Sequence, residues 1–129
     1  MLIKECMTKS PRTVAIDMPL LQAQEILREH DIRHLPVLDG GKLVGLLSDR
    51  NLKTALASPG GESFLVRDAM MPDVFAVDPD AELVTIIEEM AKEKYGCAVI
   101  QEKGGNVLGV FTTVDACRLL AEHLKNTTR

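Results

Sequence analysis

The 129-residue sequence contains no tryptophan, and aromatic residues make up only 3% of it. Because 46% of the residues are nonetheless hydrophobic, the core of the protein must be aliphatic. Cysteine is also scarce: Cys6, Cys97 and Cys117 are odd in number, far apart and set in apolar surroundings. This pattern argues against a disulfide scaffold and a zinc-type cysteine pair, and it predicts reduced core thiols.

Clustered positive charge and long apolar runs are missing as well. The formal net charge is −4, and no block of Lys and Arg forms the basic stripe of a protein that binds a phosphate backbone. Nowhere do 18 consecutive apolar residues occur, and residues 1–5 lack the pattern of a signal peptide. The sequence therefore predicts a soluble, cytoplasmic protein with neither a nucleic-acid nor a membrane partner.

Two similar stretches stand out among the residues that are present. Residues 45–51 read Gly-Leu-Leu-Ser-Asp-Arg-Asn, and residues 109–115 read Gly-Val-Phe-Thr-Thr-Val-Asp. In each, an apolar run opens on glycine, reaches a hydroxyl residue and, three positions later, presents a side chain that can hold a diol. The flanking patterns repeat too, which divides the chain into repeat 1 (residues 1–58), a Pro/Gly-rich linker (residues 59–65) and repeat 2 (residues 66–129).

Each repeat is predicted to run strand, helix, strand, strand, helix, which makes the fold class α+β. Asp17 and Asp78 are the predicted N-caps of the first helix of each repeat, and the second helices are predicted to begin at Ser48 and Thr112. A unit of ~60 residues is marginal by itself. The two repeats are therefore expected to pack together, with a pseudo-twofold interface that forms a cleft.

These patterns resemble a known family. Residues 32–38 and 42–52, preceded by residues 13–17, resemble the cystathionine-β-synthase (CBS) domain, and residues 75–79 and 108–115 match it more loosely. The whole chain is similar to a stand-alone CBS pair, or Bateman module, of the kind found in short bacterial acetoin utilization proteins. The resemblance implies two β-α-β-β-α repeats packed through their sheets, a homodimer, and clefts that bind AMP, ADP, ATP or S-adenosylmethionine.

The resemblance also implies which residues hold the ligand. The family's hydroxyl-x-x-Asp motif grips the ribose, which by position implies Ser48 and Asn51 in one cleft and Thr112 and Asp115 in the other. Asn51 stands where aspartate is usual, so the first copy lacks a charge-assisted contact to the sugar. The implied base-enclosing residues are Thr13, Val14, Ile32, Pro36, Val74, Phe75, Tyr95 and Ala98. The implied phosphate-binding residues are Arg33, His34 and Arg50.

The same residues have other interpretations. Ser48 with Asn51, and Thr112 with Asp115, also fit a capping box, which needs no ligand. His30 and His34 have the spacing of a metal pair, but no third ligand follows, so no metal site is predicted.

The sequence shows no nucleophile elbow and no framed acid–base pair, so no enzymatic activity is predicted. The predicted function is a regulatory module that senses an adenine nucleotide, requires no cofactor and acts on an unidentified regulated protein. The alternative is a structural dimerisation or partner-docking module with vestigial clefts. Apolar helix residues that fit such a docking surface, and fit the internal core equally well, are Leu52, Leu56, Leu119 and Leu120.

Overall fold

The computed structural model describes residues 1–127, which form two β-sheets and five α-helices. The strands are β1 (Thr8–Lys9), β2 (Val14–Ala15), β3 (His34–Asp39), β4 (Lys42–Ser48), β5 (Ala76–Val77), β6 (Cys97–Gln101) and β7 (Val107–Thr112). The helices are α1 (Leu20–Glu29), α2 (Asp49–Leu56), α3 (Val66–Ala69), α4 (Leu83–Glu93) and α5 (Thr113–Thr127). The α+β class and the β-α-β-β-α order of each repeat are confirmed.

The chain divides into two compact units. Unit 1 comprises Met1–Ser10 and the chain from Phe75 onward, and unit 2 is Pro11–Val74. The division by contact therefore differs from the division by repeat. Each unit contains the segment that leads into the other repeat, which we name the first lead segment (residues 1–9, in unit 1) and the second lead segment (residues 64–71, in unit 2).

Unit 2 is built on a three-stranded sheet in the order β2-β3-β4. β2 runs parallel to β3, and β3 pairs antiparallel with β4 through a hairpin whose turn contains Gly40 and Gly41, both at positive φ. The core beneath it is aliphatic, as its composition requires: Leu20, Leu35, Leu47 and Leu52 are fully buried. Leu52 thus belongs to the interior and not to a docking surface.

Unit 1 repeats this arrangement with one strand more. Its sheet has the order β1-β7-β6-β5, in which β5 runs parallel to β6, while β6 and β1 both pair antiparallel with β7. The additional strand β1 belongs to the first lead segment. The core contains Ile3 from that segment together with Ile86, Ala98, Ile100 and Phe111.

The lead segments form hydrogen bonds to the first residues of α1 and α4. This finding corrects the two N-caps that the sequence predicts for these helices. Neither Asp17 nor Asp78 caps a helix, because α1 begins after Pro19 and α4 begins after Glu82, both in extended conformation. The backbone N–H of Leu20 donates to the carbonyl of Phe64 at 2.9 Å, and that of Leu83 donates to the carbonyl of Met1 at 2.9 Å. A lead segment thus satisfies one of the backbone donors that the start of a helix leaves without an intrahelical partner.

The glycine that opens each motif lies where a lead segment pairs antiparallel with the strand that contains it. A Cβ added to Gly45 would lie 2.5 Å from the Met70 sulfur and 3.0 Å from the Met71 carbonyl oxygen. A Cβ on Gly109 would lie 2.5 Å from the Met7 sulfur and 2.7 Å from the carbonyl oxygen of Thr8. Both glycines are buried, so the missing side chain is what lets the two backbones approach.

The segment predicted as a linker, residues 59–65, lies inside unit 2. It contains a 3-10 turn, Gly61–Ser63, and Gly61 is buried against the last turn of α2.

The prediction that the cysteines are core thiols is correct for Cys97, which is buried, and Cys6 is half-buried. It is wrong for Cys117, which lies on the exposed side of α5, a helix without a fully buried residue.

Candidate functional site

The second copy of the motif forms a closed capping box at the start of α5. The Thr112 backbone N–H donates to Asp115 Oδ2 at 2.8 Å, and the Thr112 hydroxyl donates to the same oxygen at 3.0 Å. The Asp115 N–H donates back to Thr112 Oγ1 at 3.3 Å. Arg118, one turn along the helix, contacts Asp115 Oδ1 at 3.3 Å. The carboxylate is therefore held in a fixed position with 16% of its side chain exposed.

The first copy forms a looser version of the same box at the start of α2. The Asn51 N–H donates to Ser48 Oγ at 3.0 Å, and the Ser48 hydroxyl donates to Asn51 Oδ1. These are two of the three bonds found in the second copy. Both copies thus confirm the capping geometry that the spacing predicts, and in both the hydroxyl and its partner side chain lie half-buried at the protein surface.

The backbone hydrogen bonds around the starts of α2 and α5 correspond to one another. The N–H of Asp49 donates to the carbonyl of Arg33 at 2.8 Å, and the N–H of Thr113 donates to the carbonyl of Gly96 at 3.1 Å. His34 faces Ser48 across the hairpin in the same way that Cys97 faces Thr112. The structure therefore brings the start of β3 to the first box and the start of β6 to the second, as the resemblance implies.

Phe75 and Tyr95 form a stacked aromatic pair beside the second box. Their ring centroids are 4.8 Å apart, and the planes differ by 25°. The Phe75 carbonyl accepts the N–H of Val99 at 2.9 Å, while Tyr95 directly precedes Gly96, the residue bonded to α5. Tyr95 is 37% exposed and is the single tyrosine of the chain. The Tyr95 ring is therefore partly exposed, and it lies one residue away from the backbone bond that joins Gly96 to the start of α5.

Burial changes the acidity of the residue facing each box. Burial, and then the nearby Arg33, lowers the pKa of His34 below its usual value, so its imidazole is neutral at pH 7. Burial, with a smaller contribution from Asp115, raises the pKa of Cys97 to about 12. The thiol of Cys97 therefore stays protonated and unreactive at neutral pH.

The remaining predicted site residues differ in their accessibility. Val14, Pro36 and Ala98 are buried in the core clusters or among the fully buried side chains, so they can form only the floor beneath a site. Val74, the last residue of unit 2, is half-buried. Thr13 and Arg50 are exposed, Thr13 just before β2 and Arg50 in the first turn of α2.

Ile32 and Arg33 border a pocket that does not include the side chains of the first box. They line a pocket of about 270 Å³ between α1 and α2 together with Gln24, Leu27, Arg28, Asp31, Asp49 and Lys53. Ser48 and Asn51 are not part of this lining.

The sequence analysis did not predict two ion pairs at the helix starts, in which Arg118 pairs with Asp115 and Lys53 pairs with Asp49. Both pairs have helical spacings of three or four residues, the signal that could have identified them.

Two negative findings concern the part of the chain that the structure describes. Among residues 1–127, no group of three or more His, Cys, Asp and Glu side chains is placed to hold a metal ion. Within the same residues, no helix is both long enough and apolar enough to cross a membrane.

Two sheet-and-helix units, each carrying a hydroxyl box where its hairpin leads into a helix, define a tandem-repeat module. The chain belongs to the CBS domain family, whose model matches residues 3–58 and 66–122. This confirms the resemblance drawn from the sequence. The structure is similar to that of a putative acetoin utilization protein (AcuB) from Vibrio cholerae, with a TM-score of 0.86, 28% identity, and coverage of 100% of this chain and 98% of that one.

Two further relatives connect the fold to ligands and to larger proteins. The CBS domain pair of protein MJ0100, solved in complex with 5′-methylthioadenosine and S-adenosyl-L-methionine, is 26% identical with a TM-score of 0.85, over 95% of this chain and 98% of that one. L-aspartate semialdehyde sulfurtransferase of Methanocaldococcus jannaschii is 28% identical over 92% of this chain. The chain spans only 23% of the length of that enzyme, so the similarity is confined to one part of it.

Proposed function

We propose that this protein is a regulatory module that binds an adenosyl ligand without catalysing a reaction, and that the Thr112–Asp115 box forms the sugar-binding part of its second site. The observation that carries the proposal is the fixed carboxylate of Asp115 beside the Phe75–Tyr95 pair. A ribose diol can donate to a carboxylate, and an adenine can stack on a tyrosine. Both groups lie in unit 1, and the backbone hydrogen bond from Thr113 to Gly96 links the segment that follows Tyr95 to the helix start that carries Asp115.

The choice of an adenosyl ligand is supported by a relative. The MJ0100 domain pair holds 5′-methylthioadenosine and S-adenosyl-L-methionine and is 26% identical to this chain. AMP, ADP and ATP share the same adenosine part and belong to the proposed ligand class. No cofactor is needed for such a role.

Regulation requires that the ligand favour one state of the protein over another. The Asp115 carboxylate accepts two hydrogen bonds from Thr112 and one from Arg118. A ribose must compete for these oxygens, so binding would rearrange the start of α5. We propose that this change at the helix is what a regulated protein senses.

Asp115→Ala should weaken binding of S-adenosylmethionine or AMP at the second site by about tenfold or more, because it removes a charged acceptor. It should cost only about 1 kcal/mol of folding free energy, the usual effect of losing a cap. Calorimetric titration measures the affinity, and urea denaturation measures the stability.

Asp68→Ala is the matched control. Asp68 caps α3 by accepting the Leu65 N–H at 2.8 Å, and it lies in unit 2 outside the proposed site. Its loss should leave the affinity unchanged. Equal affinity in wild type and Asp115→Ala would mean that the box is only a cap. If none of AMP, ADP, ATP and S-adenosylmethionine binds the wild type below ~1 mM, about −4 kcal/mol, the adenosyl proposal is wrong.

A further inference from the structure

The pocket between α1 and α2 lies in unit 2 and shares no residue with the Thr112–Asp115 site. Its volume is about 270 Å³. Pockets for drug-sized ligands, which include molecules as large as a nucleotide, measure about 300–1,000 Å³. The pocket therefore suits a smaller molecule. Its lining comes from α1, from the turn that follows α1 and from the start of α2: Gln24, Leu27, Arg28, Asp31, Ile32, Arg33, Asp49 and Lys53.

The apolar part of this lining belongs to the core of unit 2. Leu27 is buried, and Ile32 is half-buried and packs against the same core cluster. The N–H of Ile32 donates to the carbonyl of Leu27 at 3.1 Å, which ties the turn to the end of α1. The pocket thus has an aliphatic floor that can cover an apolar group.

The rim of the pocket carries charges of both signs. Arg28 and Lys53 are each paired with a carboxylate of their own helix, at 3.2 and 3.0 Å. Asp31 and Arg33 are exposed, and within residues 1–127 neither of them forms an ion pair. One carboxylate and one guanidinium group therefore remain for a ligand, on the two residues that flank Ile32.

The turn that carries these two groups has a defined backbone. Asp31 has a φ of 49°, in the left-handed region that aspartate and asparagine tolerate better than most residues. Its N–H donates to the carbonyl of Arg28 at 3.3 Å. The turn therefore presents Asp31 and Arg33 to the same pocket.

We propose that this pocket binds a free α-amino acid with an aliphatic side chain. Arg33 pairs with the carboxylate of the amino acid, and Asp31 pairs with its ammonium group. The aliphatic side chain lies on Leu27 and Ile32. A phosphate dianion would instead be repelled by the carboxylates of Asp31 and Asp49. This site is additional to the proposed adenosyl function and does not depend on it.

Leucine and two of its fragments are the probes. 4-Methylpentanoate lacks the amino group of leucine, 3-methylbutylamine lacks its carboxylate, and both keep the aliphatic chain. In calorimetric titration of the full chain, L-leucine should bind below ~1 mM and at least about tenfold more tightly than either fragment, because each fragment loses one charge-assisted contact.

Two variants assign the two charges. Arg33→Met should weaken the binding of leucine and of 4-methylpentanoate by about tenfold, but it should not weaken that of 3-methylbutylamine. Asp31→Asn should weaken leucine and 3-methylbutylamine by about tenfold, but not 4-methylpentanoate. Asparagine also tolerates the positive φ at this position, so the turn is kept.

Arg12→Met and Asp17→Asn are the matched controls. Both residues are exposed in unit 2 outside the pocket, and their variants should bind leucine as the wild type does. Circular dichroism verifies that each variant is folded.

A leucine titration of the wild type without binding below ~1 mM would overturn the proposal. Fragments that bind as tightly as leucine would do the same. Equal leucine affinity in the wild type, Arg33→Met and Asp31→Asn would show that leucine binds elsewhere, which contradicts the assignment of the pocket. The adenosyl titrations are read separately, so failure of one proposal is distinguishable from failure of the other.

Discussion

Gly109→Ala is expected to destabilise unit 1 by about 1–3 kcal/mol, the usual cost of forcing extra volume into a packed interior. The new Cβ would lie 2.7 Å from the carbonyl oxygen of Thr8, which is backbone and cannot rotate away. Strand β1 would have to move off β7, and the bonds that join them would weaken. Urea denaturation of the variant and the wild type measures the difference in free energy of unfolding.

Gly105→Ala is the control for this substitution. Gly105 has no positive φ, and the nearest atom to its added Cβ is the Cβ of Glu102, at 3.2 Å in the hairpin. Its replacement should change the stability by no more than about 0.5 kcal/mol. A Gly109→Ala variant as stable as Gly105→Ala would show that the backbone of β1 does not lie this close to Gly109 of β7.

Ile3→Ala should cost about 2–5 kcal/mol, the range for removing most of a large aliphatic side chain from a core. Ile3 has no exposed surface and packs in the cluster that contains Leu83, Ile86 and Phe111. Its own N–H donates to the Ala81 carbonyl at 2.9 Å. The side chain thus anchors the first lead segment to repeat 2, although some eighty residues separate them in sequence.

The effect of Ile3→Ala is measured by urea denaturation, with Val84→Ala as the matched aliphatic control. Val84 is 67% exposed, so its truncation should stay within about 0.5 kcal/mol of the wild type. Faster hydrogen exchange at the Leu83 amide is also expected in Ile3→Ala, because that amide donates to the Met1 carbonyl. Similar stabilities of the two variants would contradict the placement of the first lead segment in unit 1.

Local patterns were sufficient to predict the hairpins and the boxes. The turn through Gly40 and Gly41 is determined by residues adjacent in sequence, and so is the three-residue spacing from Thr112 to Asp115. These features do not depend on the rest of the chain. The predicted order of strands and helices is correct for the same reason.

The starts of α1 and α4 could not be predicted because their caps come from distant segments. Asp17 and Asp78 have suitable side chains, but the carbonyls of Phe64 and Met1 accept the first helical N–H groups instead. Nothing near these helices in sequence indicates this. The exchange of lead segments between the repeats is likewise a tertiary feature that hydrophobic periodicity does not encode.

The predicted site was resolved only in part by spacing and resemblance. The partner residues within each box follow from local geometry. The burial of the predicted base-enclosing residues does not, because Pro36 and Ala98 lie in the interior only as members of central strands. The ion pair between Asp115 and Arg118 is local and could have been predicted. The stacking of Phe75 on Tyr95 depends on the pairing of β5 with β6, which brings the ends of two distant segments together.

The measurement that most directly tests the adenosyl function is the fluorescence of Tyr95 during titration with adenosine and, in parallel, with guanosine, which differs from it only in the base. A saturable change with the adenosyl compound below ~1 mM is predicted, together with a much weaker response to guanosine and a loss of the signal in Asp115→Ala. A Tyr95 signal that stays constant while calorimetry detects binding would contradict the assignment of the second site. Absence of both signals would contradict adenosyl binding itself.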